Sequence, residues 1–243
     1  MCTVLFMPKQ NGFCLASLRD ESPKRPKALL PAVYSLNGSR FVMPKDEFGG
    51  GSWIGVNEKS NVIVLLNGGY VKHDRKSVYA NSRGVVVFEL LRSAIPVVDW
   101  QLMDLLNIEP FTLIVLSENN LFQLVWDGNE KHRTRLDSNV PHIWSSSTLY
   151  DNDSRLKREE LFRNWIAMDP PTNKLAVLDF FKSNSKNEEG FLINRNEVVK
   201  TLSYSFIELT SSINASFDYY DLQSFIHNSV VIELSEEKNK CAI

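Results

Sequence analysis

The chain has 243 residues, 43% of them hydrophobic and 23% charged, and a formal net charge of −2. These are globular values that exclude a disordered or fibrous chain, and the dispersed Lys and Arg residues leave no electrostatic footprint for a nucleic acid. No apolar run approaches the ~20 residues of a membrane helix, and the apolar start lacks the parts of a secretory signal, so the expectation is a soluble, cytoplasmic protein with no membrane span.

The chain opens Met1-Cys2-Thr3-Val4-Leu5-Phe6. If Met1 is removed, which the small side chain of Cys2 permits, one carbon carries both a thiol and a free amine. A thiol needs a base or a depressed pKa to attack, and an α-amine, with a pKa of about 8, titrates near neutrality. The two groups would form a minimal catalytic pair; equally, a cysteine at the head of a short apolar strand needs no function. The other cysteines, Cys14 and Cys241, complete an odd count with no close pair, which argues against a disulfide framework and a zinc site. Cys14 reads as a small buried hydrophobe, and Cys241 lies in a charged tail expected to fray.

Residues 3–7 and 13–18 read as two strands joined by turn residues at 8–12. That hairpin brings the chain start beside Arg19-Asp20-Glu21, which emerge after the second strand. An arginine beside a thiol favours thiolate and a carboxylate can orient an amine, although the same triplet also suits a solvated turn. Residues 22–31, with three prolines, read as an irregular loop, and residues 41–44 as a short extended piece. Gly49-Gly50-Gly51 is followed by no Gly-Lys-Ser/Thr and no helix, so it is not a phosphate loop; it suits backbone passing close to another element. Ser52-Trp53-Ile54-Gly55-Val56-Asn57 enters a strand. Residues 62–67 form an apolar run of the kind buried on both faces, ending in Asn67-Gly68-Gly69. There the amide of Asn67 and a freed backbone N–H would suit an oxyanion hole, or Asn-Gly simply makes a tight turn.

Ser82-Arg83-Gly84 caps a helix predicted over residues 85–94, with a strand competing for its β-branched first turn. Pro96 should break it, and Asp99 should cap a second helix to residue 107. Residues 111–116, 121–126 and 131–136 read as a meander. Ser145-Ser146-Ser147 is a functional rim or plain loop. Asp153-Ser154 should cap a helix over residues 155–168, with Leu156, Leu161, Phe162, Trp165 and Ile166 inward and the cluster Lys157-Arg158-Glu159-Glu160 solvated. A shorter helix follows over residues 174–181, then strands at 191–195, 198–209 and 212–222. His73, His132, His142 and His227 are dispersed without metal-ligand spacing, and no Gly-x-Ser-x-Gly elbow occurs. No linker or internal repeat divides the chain, so one domain over residues 1–243 is expected. The pattern alone supports an α+β class.

Met1-Cys2-Thr3-Val4, Arg19-Asp20-Glu21, Gly50-Gly51-Ser52-Trp53-Ile54-Gly55-Val56-Asn57, Leu65-Leu66-Asn67 and Ser82-Arg83-Gly84 stand in the order seen in the NRDE family, which includes the transport and Golgi organisation proteins, and the chain resembles that family. Leu18 stands where the family has the asparagine of its name, and Ser146 where an asparagine is usual later. The resemblance implies an N-terminal-nucleophile hydrolase-like αββα sandwich, two antiparallel sheets between helical layers, similar to the choloylglycine hydrolases. It places Cys2 at the nucleophile position, Arg19 and Asp20 near it, and Asn67 at an oxyanion position. Trp53, Asn57, Ser82, Arg83 and Ser146 are the matching pocket candidates. Two functions follow as expectations: a cysteine amidohydrolase acting on non-peptide C–N bonds of a small molecule, with no metal and no cofactor, or a non-catalytic protein that binds and traffics haem or an acylated cofactor.

Overall fold

A computed structural model describes residues 3–185, 190–209 and 213–235; Met1, Cys2 and Cys241 lie outside the described residues. In chain order the strands of the first part are β1 (Thr3–Lys9), β2 (Gly12–Glu21), β3 (Leu29–Leu36), β4 (Ser39–Lys45), β5 (Ile54–Asn57) and β6 (Val62–Asn67). Helices α1 (Arg83–Leu91) and α2 (Pro96–Leu102) follow, then β7 (Phe111–Ser117), β8 (Asn120–Trp126), β9 (Lys131–Leu136) and β10 (His142–Ser145). The last part holds α3 (Asn152–Ile166), α4 (Lys174–Ser183), β11 (Asn194–Arg195), β12 (Val199–Leu209), β13 (Asn214–Asp221) and β14 (Ile226–Glu233).

Two antiparallel sheets result. The first runs β10-β1-β2-β12-β13-β14, with β11 paired to β12, and the second is a sequential meander from β3 to β9. Strand alternation sends Val4, Phe6, Phe13 and Leu15 into the core between the sheets, and Leu5, Met7, Cys14, Ala16 and Leu18 into a second core with Phe162, Val177 and Phe181 of α3 and α4. Helices α1 and α2 cover the other face of the second sheet, where Leu91 lies against Gly55. The layers are therefore α3/α4, sheet, sheet and α1/α2, an αββα sandwich. The second sheet is buried on both faces, which is why β6 reads as an unbroken apolar run.

Several local expectations change. Arg19, Asp20 and Glu21 do not follow the strand but belong to it, because β2 keeps pairing with β12 as far as Glu21. Residues 29–36 form an edge strand with Pro31 inside it, at the sheet position that tolerates proline. Pro96 opens α2 rather than breaking a helix, since its missing N–H costs nothing at the first turn. Asp151, not Asp153 or Ser154, caps α3 by accepting from the Ser154 N–H. Most consequentially, Arg158 is not solvated: it is 1% exposed, while Leu156, expected inward, is 54% exposed. Ser154, Arg158 and Phe162 form the buried i, i+4, i+8 stripe of α3.

Candidate active site

At one end of the sandwich the side chains of β2, the loop after β4, β6 and the start of α1 enclose a cavity of about 540 Å³, lined among others by Arg19, Asp46, Trp53, Asn67, Ser82 and Arg83. Arg19 reaches it because the alternation of β2 turns residues 13, 15, 17 and 19 toward the second sheet. Opposite Arg19, strand β12 carries a bulge between Thr201 and Ser203, a device that re-aims neighbouring side chains. The guanidinium lies 4.2 Å above the Trp53 ring and donates to Asp46 Oδ2 at 3.3 Å. The same oxygen accepts Arg25 Nε at 2.9 Å. Burial penalises the charge of Arg19 and lowers its pKa, against the pull of Asp46. Burial also opposes the charge of Asp46, but the Gly49 N–H, Arg25 and Arg19 outweigh it and hold that carboxyl below its ordinary range.

The glycine run is a close-approach device. The Ser52 N–H donates to Gly84 O at 3.0 Å, and a Cβ on Gly51 would stand 2.1 Å from the Gly84 carbonyl. The loop from Asp46 to Trp53 is thereby fixed to the N-terminus of α1, where Ser82 accepts from the Gly84 N–H at 3.2 Å. Arg83, the next wall residue, pairs with Glu109 at 3.2 Å. Burial lowers its pKa too, with Glu109 opposing.

Asn67 ends β6. Gly68, at φ +86°, makes the bend, and its N–H donates to Pro110 O at 3.0 Å, so this backbone group is not the freed donor expected there. The Asn67 carbonyl accepts from Ser146 Oγ at 2.7 Å. Its side-chain amide makes no hydrogen bond among the described residues, and the residue lines this cavity and a smaller hollow behind it. Ser146 lines a separate hollow of about 160 Å³ with Gln123, Thr112 and Ser147, so it supports Asn67 from behind.

Asp20 is turned the other way. Thr201 Oγ1 donates to it at 2.6 Å and Tyr150 Oη at 3.0 Å, in the layer between the first sheet and α3. Beside them Arg158 stacks 3.6 Å from the Tyr150 ring and donates to Thr3 Oγ1 at 2.6 Å and to the Gly190 carbonyl. Thr3 is the first described residue, paired with Leu18 and Ser145. Asn57 does not line the cavity: its amide donates to Leu91 O and Ser93 O at 3.1 and 2.9 Å and its oxygen accepts from Lys59 and Asn61, which fixes a turn. Leu18, fully buried, faces α3 and α4, so the loss of the family asparagine does not touch the cavity. Cys14 is likewise a core residue, its thiol pushed up to about 12 by burial. Among the described residues no group of three or more His, Cys, Asp or Glu side chains is placed to hold a metal ion, and no helix is long and apolar enough to cross a membrane.

The arrangement thus unites Arg19, Trp53, Asn67, Ser82 and Arg83 on one cavity and sets Asp20, Asn57 and Ser146 apart. Sequence reasoning missed Asp46 and Arg25, which hold Arg19, and Glu109, which holds Arg83. Their signals are weak, since each stands in an irregular segment. For Arg158 the signal was its four-residue spacing from Phe162.

Residues 1–237 match the family described as Transport and Golgi organisation 2. No curated protein matches the chain in sequence. Among solved structures, an N-acylethanolamine-hydrolyzing acid amidase ortholog from Caenorhabditis elegans is similar with a TM-score of 0.56 at 11% identity, over 85% of this chain and 92% of that one. Penicillin V acylase from Agrobacterium tumefaciens has a TM-score of 0.56 at 11% identity, over 96% and 86%. A variant of conjugated bile acid hydrolase from Clostridium perfringens has 0.50 at 11%, over 98% and 100%. All three share the N-terminal-nucleophile hydrolase fold with this chain.

Proposed function

The chain belongs to the Transport and Golgi organisation 2 family, and from its N-terminal-nucleophile hydrolase fold we propose that it is a cysteine amidohydrolase acting on a non-peptide amide of a small molecule. The observation that carries this reading is that Arg19 and Asn67 line one cavity at the end of the sandwich where β1 begins. Thr3 turns its hydroxyl to Arg158 in the helical layer; the reading requires Cys2 to present its thiol to the cavity that Arg19 lines.

In this mechanism the Cys2 thiolate, favoured by the Arg19 guanidinium, attacks the amide carbonyl carbon. The oxyanion takes a hydrogen bond from Asn67 Nδ2. The α-ammonium of Cys2 passes a proton to the leaving nitrogen, the C–N bond breaks, and a thioester remains. Water, deprotonated by the same amine, then releases a carboxylic acid and regenerates the thiol. Asp20 accepts from Thr201 of β12 and from Tyr150 ahead of α3, which fixes the end of β2 beside the chain start.

The alternative of a haem carrier finds less support. Arginine, carboxylate, serine and asparagine groups dominate the described lining, whose one side chain of a haem-ligating type is Tyr79, and its hydroxyl already accepts the Lys76 N–H at 2.9 Å. The test is turnover of a library of N-acyl amides by the wild type and by Cys2→Ala, with the intact mass recorded. The proposal expects loss of Met1, turnover by the wild type and a fall of at least ~1,000-fold in the variant. Retained Met1, or equal turnover in both, sinks it.

A further inference from the structure

The cavity is lopsided in charge. Five cationic side chains and three carboxylates line it, and they are unevenly matched. On the Asp46 wall, Arg19 and Arg25 share one carboxylate, and Glu21, 3.8 Å from Arg25, supplies a second. That wall is balanced. On the other side Arg83, Arg75 and Lys76 have one carboxylate within ion-pair distance, Glu109, which Arg83 approaches at 3.2 Å, Arg75 at 3.9 Å and His73 at 3.4 Å, while Glu21 also acts on Arg83 from further off. Lys76 makes no ion pair among the described residues. The first turn of α1, which forms this wall, carries no acidic residue, so its positive end adds to the surplus. Across the cavity the indole N–H of Trp53 is buried and has no hydrogen-bond partner among the described residues.

We infer that the cavity selects a small amide bearing a carboxylate, which docks against Arg83, Arg75 and Lys76. The half-buried Arg83 gives such an anion a poorly hydrated, fork-shaped donor, and the exposed Arg75 and Lys76 draw it in. A neutral amide of the same shape would leave the surplus charge uncompensated. The lining is mainly polar, with Trp53, Leu65 and Phe48 as its larger apolar members, which suits a short acyl group rather than a long chain. This inference rests on the amidohydrolase reading for the identity of the bond cleaved, but not for the binding preference.

The two separate in one experiment. N-hexanoylglycine and N-hexanoylglycinamide differ only in replacing a carboxylate by a neutral amide. Their affinities are measured by calorimetry at low ionic strength on the wild type, Arg75→Gln/Lys76→Gln and Arg83→Gln, and their turnover is followed in parallel. The wild type should bind the carboxylate about tenfold more tightly, the order one charge-assisted contact supplies. The preference should shrink at higher salt and fall to about threefold or less in the double variant, whose exposed positions leave folding intact. Equal affinity for the two probes, no binding of either, or a preference unchanged in both variants overturns the inference. Selective binding without turnover would support the inference and count against the hydrolase reading, whereas turnover of the neutral probe alone would do the reverse.

Discussion

Arg158 shows how a single buried cation organises the neighbourhood of the chain start. Its guanidinium is covered by the Tyr150 ring and bound to Thr3 and Gly190, so its charge is dispersed rather than exposed. Arg158→Ala removes these bonds and the stacking at once, and a cost of about 3 kcal/mol in urea unfolding is expected; a change below about 0.5 kcal/mol would contradict the placement. Asp46 gives a residue-scale prediction in pH. Its folded-state pKa is depressed below the unfolded value despite burial, through Gly49, Arg25 and Arg19. The stabilisation is therefore present above the ordinary carboxylate range of about 4 and is lost as pH falls through the depressed value. Asp46→Asn should be less stable than the wild type by about 1–2 kcal/mol at pH 6, and the gap should close toward pH 2.5; a gap independent of pH would refute this role. Arg19, Trp53, Asn67 and Arg83 were legible as site candidates because each stands in a motif. Asp20 lies on the face of β2 away from Arg19, as adjacency in a strand dictates, and its expected place beside Cys2 falls outside the described residues.

At the scale of elements, the union of the glycine loop with α1 shapes the cavity wall. Gly51 admits the Gly84 carbonyl where a Cβ would stand 2.1 Å away, with backbone rather than a flexible side chain as the obstacle. Gly51→Ala should therefore cost about 3 kcal/mol and weaken ligand binding, because Ser52 and Gly84 must separate; unchanged stability would mean the loop is not seated on the helix. The capped start of α1 at Ser82 and the meander from β7 to β9 were legible, since a cap and two polar turns leave direct marks. Strands β3 and β14 were not. Both are edge strands that bury few side chains, and Pro31 in β3 reads as loop until its edge position is known. The start of α2 was concealed likewise, as proline both breaks helices and begins them.

For the whole molecule, two apolar faces per sheet require two partners, and the chain supplies them as four layers. The long buried run of β6 and the alternation of β1 and β2 already imply a sheet covered on both sides, and the family motifs supply the arrangement. The resulting sandwich leaves a polar, cation-rich cavity at the end where β1 begins, the feature on which the functional account depends. The most direct measurement is peptide mass spectrometry after acid quenching of a turning-over amide. The account predicts the acyl mass on the peptide that contains Cys2, labile to hydroxylamine and absent when Cys2→Ala is used. Turnover with no acyl-peptide that traps, or with the acyl group on any other residue, would contradict it.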